Sequence, residues 1–257
     1  MKTKIIFFGN GPLADYALEV LVQHFEIVFH ARTKEDLETV KDLKTKNPEL
    51  KGVLASFGVM IKKDVLELFE PEGILNIHPS LLPKYRGSSP IETAILNGDK
   101  DFSVSIMKLV KAMDAGPVYY QETFTLPDNV SKDEVYHKLA TAGAKWLSSH
   151  IDSLPAPTPQ IEEPTFTEKF DKSMSKLKPE VKTAERLNNE IRAFLGFPKS
   201  RYEFFGIDCI ILEAHISDSE ELLSLKCKDG KFLSIDRLQP AGKKPMDVKS
   251  FLNGYKK

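Results

Sequence analysis

The feature that most constrains the fold of this chain is the alternation of short apolar runs with longer amphipathic stretches through residues 1–150. The apolar runs, each the length of a buried strand, are Ile5–Gly9, Glu26–Ala31, Gly52–Phe57, Gly73–Ile77 and Val104–Leu109. The stretches between them with helical periodicity are Leu13–His24, Thr33–Asn47, Lys62–Leu68 and Ile91–Asn97. Because strands that alternate with helices usually pair in parallel, the pattern predicts an α/β fold. Its sheet would be doubly wound and mostly parallel, with helices on both faces.

Beyond the last of these runs the sequence changes character. Lys132–Ser149 has helical periodicity, and Ser131 before it is a favourable N-cap. Four prolines then fall between residues 155 and 164, a density that neither a helix nor a central strand tolerates. We therefore expect a proline-rich, extended linker over residues 151–175, following a first domain of residues 1–150.

The remaining residues, 176–257, have the pattern of a small β domain. Thr183–Phe197 has apolar residues on one helical face. Four short runs follow, separated by polar turns: Tyr202–Phe205, Asp208–Ala214, Leu222–Cys227 and Lys231–Ile235. Such a series predicts a small antiparallel β-barrel.

The composition narrows the class of protein. With 41% hydrophobic and 28% charged residues, the chain is typical of globular proteins that fold in water. No apolar run approaches the roughly 20 residues that a membrane helix needs. The first apolar run ends at Gly9, Gly11 and Pro12, so it is too short for the apolar core of a signal peptide. We expect a cytoplasmic protein that makes no contact with membranes.

The cysteines and histidines argue against a metal centre. Cys209 and Cys227 are far apart in apolar, strand-like contexts, and a reducing compartment favours two buried thiols over a disulfide. No cluster of cysteines and histidines has metal-ligand spacing. We therefore predict that the protein binds no metal.

The net charge of −1 is unevenly distributed along the chain. From residue 170 onward there are 17 lysines and arginines against 13 aspartates and glutamates, whereas the preceding residues contain 19 against 24. A basic C-terminal part suits a phosphate-rich partner such as tRNA. So small an excess is also compatible with an ordinary lysine-rich surface.

The segment Ile74–Gly87 carries the most specific chemistry. An apolar pair leads into Asn76 and His78, which at strand periodicity project to the same side. Two prolines and a glycine follow, so the pair lies where a strand ends beside a stiff loop. In doubly wound sheets, ligands bind beyond that end of the strands. An amide donor beside an imidazole is what a reaction requires when negative charge develops on a carbonyl oxygen.

Several motifs together give a family resemblance. They are Asn-x-His-Pro-Ser-Leu-Leu-Pro at residues 76–83, Tyr-Arg-Gly at 85–87, Pro90-Ile91, Gly98-Asp99, Met-Asp-Ala-Gly-Pro at 113–117, Leu238–Met246 and Phe251–Gly254. In these motifs the chain resembles the folate-dependent formyltransferases. The resemblance implies a Rossmann-like catalytic domain of the formyltransferase type and an open, OB-like C-terminal β-barrel.

The resemblance also implies that the formyl donor is 10-formyltetrahydrofolate and that the catalytic residues are Asn76, His78 and Asp114. In formyl transfer an amine attacks the formyl carbon, whose oxygen becomes negative while the attacking nitrogen becomes positive. Asn76 would donate to the oxygen, a contribution of roughly 3 kcal/mol in the transition state. His78 would donate as an imidazolium whose pKa is raised by Asp114, and Asp114 would also be the route for the proton.

Binding residues follow from the same resemblance. Folate would contact a loop that its prolines make stiff, so that its backbone groups bind at little entropic cost: Ser80, Leu81, Leu82 and Pro83. An opposing wall, after an apolar strand, would include Phe57 and Met60. Core packing is the alternative for Leu81, Leu82 and Met60.

Within the family, the C-terminal helix and tail are similar to those of members that formylate methionine on initiator tRNA for translation initiation. This implies initiator methionyl-tRNA as the partner of an enzyme that we expect to be a monomer, with the C-terminal barrel as its tRNA-binding domain. Three basic residues are candidates for the acceptor: Arg86, Arg32 and Lys243. Arg86 could instead hold a structural carboxylate. The basic, glycine-containing insertion that such members carry after the second strand is absent.

Other functions stay open. Sugar-nucleotide N-formyltransferases share the catalytic trio and have similar length, so the acceptor could be an amino-sugar nucleotide. The barrel could also bind RNA while the first domain has no activity. Residues 9–14, Gly-Asn-Gly-Pro-Leu-Ala, fit the G-x-G-x-x-A pattern of dinucleotide-binding proteins, with Arg32 placed for a 2′-phosphate. Pro12 in the turn into the helix weakens that interpretation.

Overall fold

The computed structural model describes residues 2–255, which separate into two compact units. The first unit comprises residues 2–91 and 100–168, and the second comprises residues 92–99 and 169–255. The prolines of the predicted linker therefore fall within the first unit, and residues 92–99 belong to the second.

A six-stranded sheet forms the centre of the first unit. Its strands are β1 (Lys4–Gly9), β2 (Glu26–Ala31), β3 (Lys51–Ala55), β4 (Ile74–His78), β5 (Asp101–Lys108) and β6 (Val118–Thr125). They lie in the order β2-β1-β3-β4-β5-β6, in which the first four are parallel and β5 is antiparallel to both of its neighbours. The predicted mostly parallel, doubly wound sheet is confirmed.

Helices cover both faces of this sheet. They are α1 (Pro12–His24), α2 (Asp36–Lys46), α3 (Lys63–Leu68) and α5 (Lys132–His150), whereas most of α4 (Pro90–Asn97) belongs to the second unit. α1 packs against α5, and α2 packs against α3. On β4, Ile74 belongs to the hydrophobic cluster completed by α2 and α3, whereas Ile77 meets α5 at Gly143. Because neighbouring side chains on a strand alternate between faces, these two helix pairs lie on opposite sides of the sheet.

Two predicted elements of this unit have different ends for local reasons. The third strand ends at Ala55 rather than Phe57, because Ser56 has a left-handed φ of 51°. The second helix begins at Asp36 rather than Thr33, because the Asp36 carboxylate accepts two hydrogen bonds from preceding backbone N–H groups and holds them in a turn.

Strand β6 is missing from the sequence-based prediction. It lies at the edge of the sheet, and along most of its length partly buried residues alternate with exposed ones. No continuous apolar run marks such a strand, so its pairing with β5 is what defines it.

The proline-rich segment is extended, as its composition predicts, but it is docked along the first unit. Thr158 exchanges two backbone hydrogen bonds of 2.8 Å with Val118. Further on, the N–H of Thr165 donates to the carbonyl oxygen of Pro83 (3.2 Å), and the carbonyl oxygen of Thr165 accepts from the N–H of Arg86 (2.9 Å). The segment therefore runs from the start of β6, at Thr158, to the loop that follows β4, at Thr165.

Antiparallel strands form the second unit. They are β7 (Arg201–Phe204), β8 (Ile207–Ser217), β9 (Ser224–Lys226), β10 (Phe232–Pro240) and β11 (Met246–Asp247). Their order is β11-β10-β8-β7, and β9 also pairs with β10. One hydrophobic cluster joins them to α6 (Ala184–Ala193) and α7 (Val248–Tyr255). The predicted antiparallel C-terminal β domain is confirmed, whereas β11 and α7 are additions to it.

Helix α6 is shorter than predicted. It begins after Thr183, whose hydroxyl accepts a hydrogen bond from the N–H of Arg186 (3.2 Å), and it ends at Ala193 instead of Phe197. Phe194 is its C-cap, with a φ of −89° and a ψ of 3°, and the turn beyond it contains Gly196 with a left-handed φ of 88°.

Cys209 and Cys227 are free and buried, as predicted, and burial raises the pKa of the Cys209 thiol to about 11. Within residues 2–255, no helix is both long and apolar enough to span a bilayer. The same part of the chain contains no group of three or more His, Cys, Asp or Glu side chains that could hold a metal ion.

Candidate active site

Strand β4 brings two polar side chains to the carboxyl end of the sheet. Asn76 and His78 share the face that Ile74 occupies, and they are only 5% and 4% exposed. Buried amides are nearly always hydrogen-bonded. Within residues 2–255, however, the Asn76 carboxamide makes no hydrogen bond, and it is not among the side chains whose polar atoms are both fully shielded and unpartnered. This amide is therefore available to a ligand.

His78 is held on both sides of its ring. Nε2 lies 3.1 Å from the carbonyl oxygen of Tyr85, and Nδ1 lies 3.7 Å from Oδ2 of Asp114. Since a carbonyl oxygen only accepts, Nε2 carries a proton. In the neutral ring, Nδ1 is then the unprotonated nitrogen, and it faces the carboxylate.

The charge state expected for His78 from the sequence is wrong. Burial lowers the pKa of His78 below its ordinary value, and this effect outweighs the Asp114 carboxylate, which acts to raise it. Because a buried imidazolium loses its hydration, the neutral form is favoured at pH 7. His78 therefore rests as a base and not as a preformed imidazolium donor.

A turn after β5 supplies Asp114. Its φ of 46° is left-handed, a conformation that Asp adopts more readily than most residues. Oδ2 accepts a hydrogen bond from the backbone N–H of Gly87 (2.7 Å). A Cβ on Gly116 would lie 1.8 Å from the carbonyl oxygen of Lys108, so the turn requires glycine there. The structure thus brings Asp114 to His78, on the face of β4 that carries Asn76.

The loop Ser80–Pro83 is held by polar side chains of neighbouring strands. Ser105, fully buried on β5, donates from Oγ to the carbonyl oxygen of Ser80 (2.6 Å). The same Oγ accepts from the N–H of Leu82 (3.1 Å) and from Nε2 of Gln121 (3.0 Å). Gln121 also donates to the carbonyl oxygen of Leu82 (2.8 Å). Backbone groups that the sequence analysis assigned to folate are therefore used inside the protein.

Ser105 and Gln121, which hold this loop, were not identified from the sequence. A signal for Ser105 exists, because in the run Phe102-Ser103-Val104-Ser105 the two hydroxyls alternate with apolar residues and share one face of a buried strand. Gln121 offers none, since it lies on the unpredicted edge strand β6.

We expect Ser105→Ala to lower the free energy of unfolding by about 2–3 kcal/mol, because the buried N–H of Leu82 and the carbonyl of Ser80 lose a partner. Ser103→Ala is the matched control on the same strand face. It removes one hydrogen bond, to Thr123 Oγ1 (2.8 Å), and should cost about 1 kcal/mol. Urea unfolding measures both variants, and equal losses would contradict the role given to Ser105.

The side chains predicted to contact folate fall into two groups. Met60 and Leu81 are 80% and 43% exposed, so both are free to meet a ligand. Phe57 and Leu82 are each 4% exposed and lie in hydrophobic clusters. Core packing therefore explains Leu82 and Phe57, but it does not explain Met60 or Leu81.

The three basic residues predicted to bind the acceptor differ in their surroundings. Arg86 donates from Nε and Nη2 to the side-chain oxygen of Gln160 (3.1 and 2.7 Å). Its partner is therefore an amide and not the structural carboxylate that the sequence analysis gave as the alternative. Arg32 is exposed beyond the end of β2, with Nε 3.3 Å from Nδ1 of His30. Lys243 is exposed in the turn between β10 and β11 of the second unit.

The glycine turn after β1 has a packing explanation. A Cβ on Gly9 would lie 2.3 Å from the carbonyl oxygen of Ala55 and 2.7 Å from Cβ of Ala14. β1 therefore approaches α1 too closely for any side chain at this position. Pro12 is the first residue of α1, where its missing N–H costs nothing. Helix–strand packing accounts for the pattern without a dinucleotide.

Sequence profiles of known families match both parts of the chain. The family described as Formyl transferase matches residues 12–151, and the one described as Formyl transferase, C-terminal domain, matches residues 172–256. Together with the mixed sheet and the polar pair at the carboxyl end of β4, these matches define the class. The chain belongs to the formyl transferase family.

Within that family the chain is similar to proteins named methionyl-tRNA formyltransferase. The one from Enterococcus faecalis is 33% identical over 238 residues, which cover 85% of this chain and 74% of that protein. The one from Thermodesulfovibrio yellowstonii is 30% identical over 304 residues, which cover 100% of this chain and 97% of that protein.

Three solved structures illustrate the similarity in fold. HypX from Aquifex aeolicus in complex with tetrahydrofolic acid has a TM-score of 0.72 at 16% identity over 99% of this chain, which spans about half of HypX (47%). WlaRD, a sugar 3N-formyl transferase, has a TM-score of 0.68 at 20% identity, covering 95% of this chain and 99% of WlaRD. Methionyl-tRNA formyltransferase from Clostridium thermocellum has a TM-score of 0.67 at 19% identity, covering 93% and 99%.

Proposed function

We propose that this protein transfers a formyl group from 10-formyltetrahydrofolate to the α-amine of methionine on initiator tRNA. The observation that carries the proposal is one constellation: an unpaired amide, a neutral imidazole and a carboxylate at the carboxyl end of β4. It occurs in a chain 30–33% identical to proteins named for this activity. The product would serve the initiation of protein synthesis in the cytoplasm.

In the proposed reaction the neutral amine attacks the formyl carbon, and the formyl oxygen takes the negative charge of the tetrahedral intermediate. Nδ2 of Asn76 donates to that oxygen, and such a donor is typically worth roughly 3 kcal/mol in the transition state. The attacking nitrogen, now positive, gives up its proton. The bond from carbon to N10 of the folate then breaks, N10 takes a proton, and tetrahydrofolate leaves.

The acceptor of the proton is the pair formed by Nδ1 of His78 and the carboxylate of Asp114, 3.7 Å apart. A neutral His78 suits this role because a nitrogen that already carried a proton could not take another. Once the imidazolium forms, the adjacent carboxylate stabilises it. The lowered pKa of His78 is therefore compatible with its proposed role as a base, although not with the donor role first expected.

The two units would divide the work. Catalysis and folate binding are assigned to the first unit, where the exposed side chains of Met60 and Leu81 offer apolar surface for the donor. The tRNA is assigned to the second unit, because the residues from 170 onward carry the positive charge excess of the chain.

A specific observation favours an amino-sugar nucleotide as a second candidate acceptor. The chain passes from β2 to α2 through only a short turn, Arg32–Glu35, with no basic insertion. An acceptor that is small would need no such insertion. The catalytic constellation does not distinguish the two, because both acceptors present a primary amine and phosphates.

The deciding experiment supplies 10-formyltetrahydrofolate with one acceptor at a time and measures the formylated product. The acceptors are charged initiator methionyl-tRNA, charged elongator methionyl-tRNA and a dTDP-amino sugar. We expect initiator tRNA to exceed the amino sugar by at least about 100-fold in kcat/KM, a difference of roughly 2.7 kcal/mol. Formylation of the amino sugar alone would replace the proposed acceptor. If none of the three acceptors leads to the release of tetrahydrofolate, the proposal is wrong.

A further inference from the structure

Gln160, in the proline-rich segment, makes a set of contacts that the proposed reaction does not use directly. Its Nε2 donates to the carbonyl oxygens of Asp114 (2.8 Å) and Gly116 (2.7 Å). Its Oε1 accepts from Nε and Nη2 of Arg86. Both amide protons and both oxygen lone pairs are therefore occupied. The orientation of the amide is fixed, since only its oxygen can face a guanidinium and only its nitrogen can face two carbonyls.

These contacts restrain the Asp114 carboxylate at two points. Behind Asp114, Gln160 joins the carbonyls at residues 114 and 116 and so ties down a turn that begins with a left-handed φ. In front, Gln160 holds Arg86, and the next residue, Gly87, donates its N–H to Oδ2 of Asp114. One amide thus connects the backbone that carries the carboxylate to the loop that orients it.

The position of Gln160 does not depend on its own side chain. Backbone hydrogen bonds hold the segment on either side, between Thr158 and Val118 and between Thr165 and both Pro83 and Arg86. Replacing the side chain would leave the segment docked. An effect of such a replacement can therefore be separated from undocking.

The geometry points to Gln160 as a positioning residue for the proposed formyl transfer, one that keeps the Asp114 carboxylate directed at Nδ1 of His78. The inference rests on the proposed function for its catalytic consequence. Near the reacting atoms, a misplacement of about 1 Å lowers rates by on the order of 100-fold. Loss of the amide should therefore reduce kcat while leaving the binding of both substrates unchanged.

Two variants and one control test this role. Gln160→Ala removes all four hydrogen bonds. Gln160→Glu keeps an oxygen for Arg86 but places the other carboxylate oxygen against the carbonyls of Asp114 and Gly116, which repel it. Ile161→Ala changes the adjacent side chain, which is 91% exposed. We expect kcat to fall about 10- to 100-fold in both Gln160 variants, with KM values within about twofold of wild type and no change in the control.

Two further readouts separate positioning from general stability. Each Gln160 change should have little effect on kcat when it is introduced into Asp114→Asn, because residues that act through one group are not additive. The amide N–H of Gly87 should exchange faster with solvent in both Gln160 variants, since its hydrogen bond to Asp114 is loosened. That exchange is measured by NMR and needs no activity.

The outcomes are distinguishable from those of the acceptor experiment. If the wild type releases no tetrahydrofolate, the proposed function fails, and the exchange of the Gly87 amide still decides whether Gln160 positions Asp114. If the wild type is active and Gln160→Glu retains full kcat, contact with Arg86 alone suffices and the inference is wrong. An equal fold-loss in the wild-type and Asp114→Asn backgrounds would likewise overturn it.

Discussion

Asp114→Asn is expected to reduce the turnover number for formyl transfer by on the order of 10³-fold, while the protein keeps its fold and its affinity for the folate donor. The reason is chemical: an amide can neither take the proton of the attacking amine nor stabilise an imidazolium at His78, 3.7 Å away. Steady-state kinetics with 10-formyltetrahydrofolate and initiator methionyl-tRNA measure kcat, and fluorescence titration measures donor binding.

The structure indicates that Asp114→Asn should preserve the local conformation. Asn tolerates a left-handed φ as well as Asp does, so the turn at 46° should persist. The side-chain oxygen of Asn can still accept the N–H of Gly87. Asp128→Asn, at an exposed carboxylate paired with Lys100, controls for the loss of a negative charge and should leave turnover unchanged. Wild-type turnover in Asp114→Asn would remove Asp114 from the mechanism.

Gly116→Ala is expected to lower the free energy of unfolding by about 3 kcal/mol, because a Cβ at this position would lie 1.8 Å from the carbonyl oxygen of Lys108. The obstructing atom belongs to the backbone of β5, so no side-chain rotation relieves the contact. The turn must open, and Asp114 moves with it. Thermal unfolding should show a melting temperature lower by roughly 6–12 °C, and turnover should fall together with stability.

Gly254→Ala is the matched control for this change. Gly254 lies in α7 of the second unit, and a Cβ there would have nothing within 4 Å. Alanine favours helices over glycine by up to about 1 kcal/mol, so this variant should be neutral or slightly more stable. A Gly116→Ala variant with wild-type stability would mean that the turn accommodates a side chain, which would contradict the packing described for it.

The fold class and most element types follow from local sequence. Apolar runs and 3.6-residue periodicity locate β1 to β5 and α1 to α3, because these elements bury a continuous strand or one helical face. Where the prediction failed, the cause lay in residues beyond the element. Strand β6 is defined by hydrogen bonds to β5, since its own residues are half exposed. Helix α6 ends at the Phe194 cap, before a turn that contains a left-handed Gly196, and apolar periodicity does not register such a turn.

For the site, the sequence indicated which residues come together better than it indicated their protonation states and hydrogen-bond partners. Asn76 and His78 could be found because their spacing on a strand fixes a common face, and Asp114 because its turn resembles a family motif. The expected imidazolium at His78 was wrong, since the burial that lowers its pKa depends on residues packed around it. Arg86 was expected to bind the acceptor, and its contact with Gln160 was not foreseen.

The sequence by itself determined which elements form, which sheet they build and which side chains stand at its carboxyl edge, because these properties depend on the order of residue types along a short stretch. Only the tertiary structure decided the charge of His78, the partner of Arg86 and the place of Gln160. Gln160 is 46 residues from Asp114 and 74 from Arg86 in the chain. Desolvation and hydrogen bonding between such distant groups exist only once the chain is folded, so no local pattern encodes them.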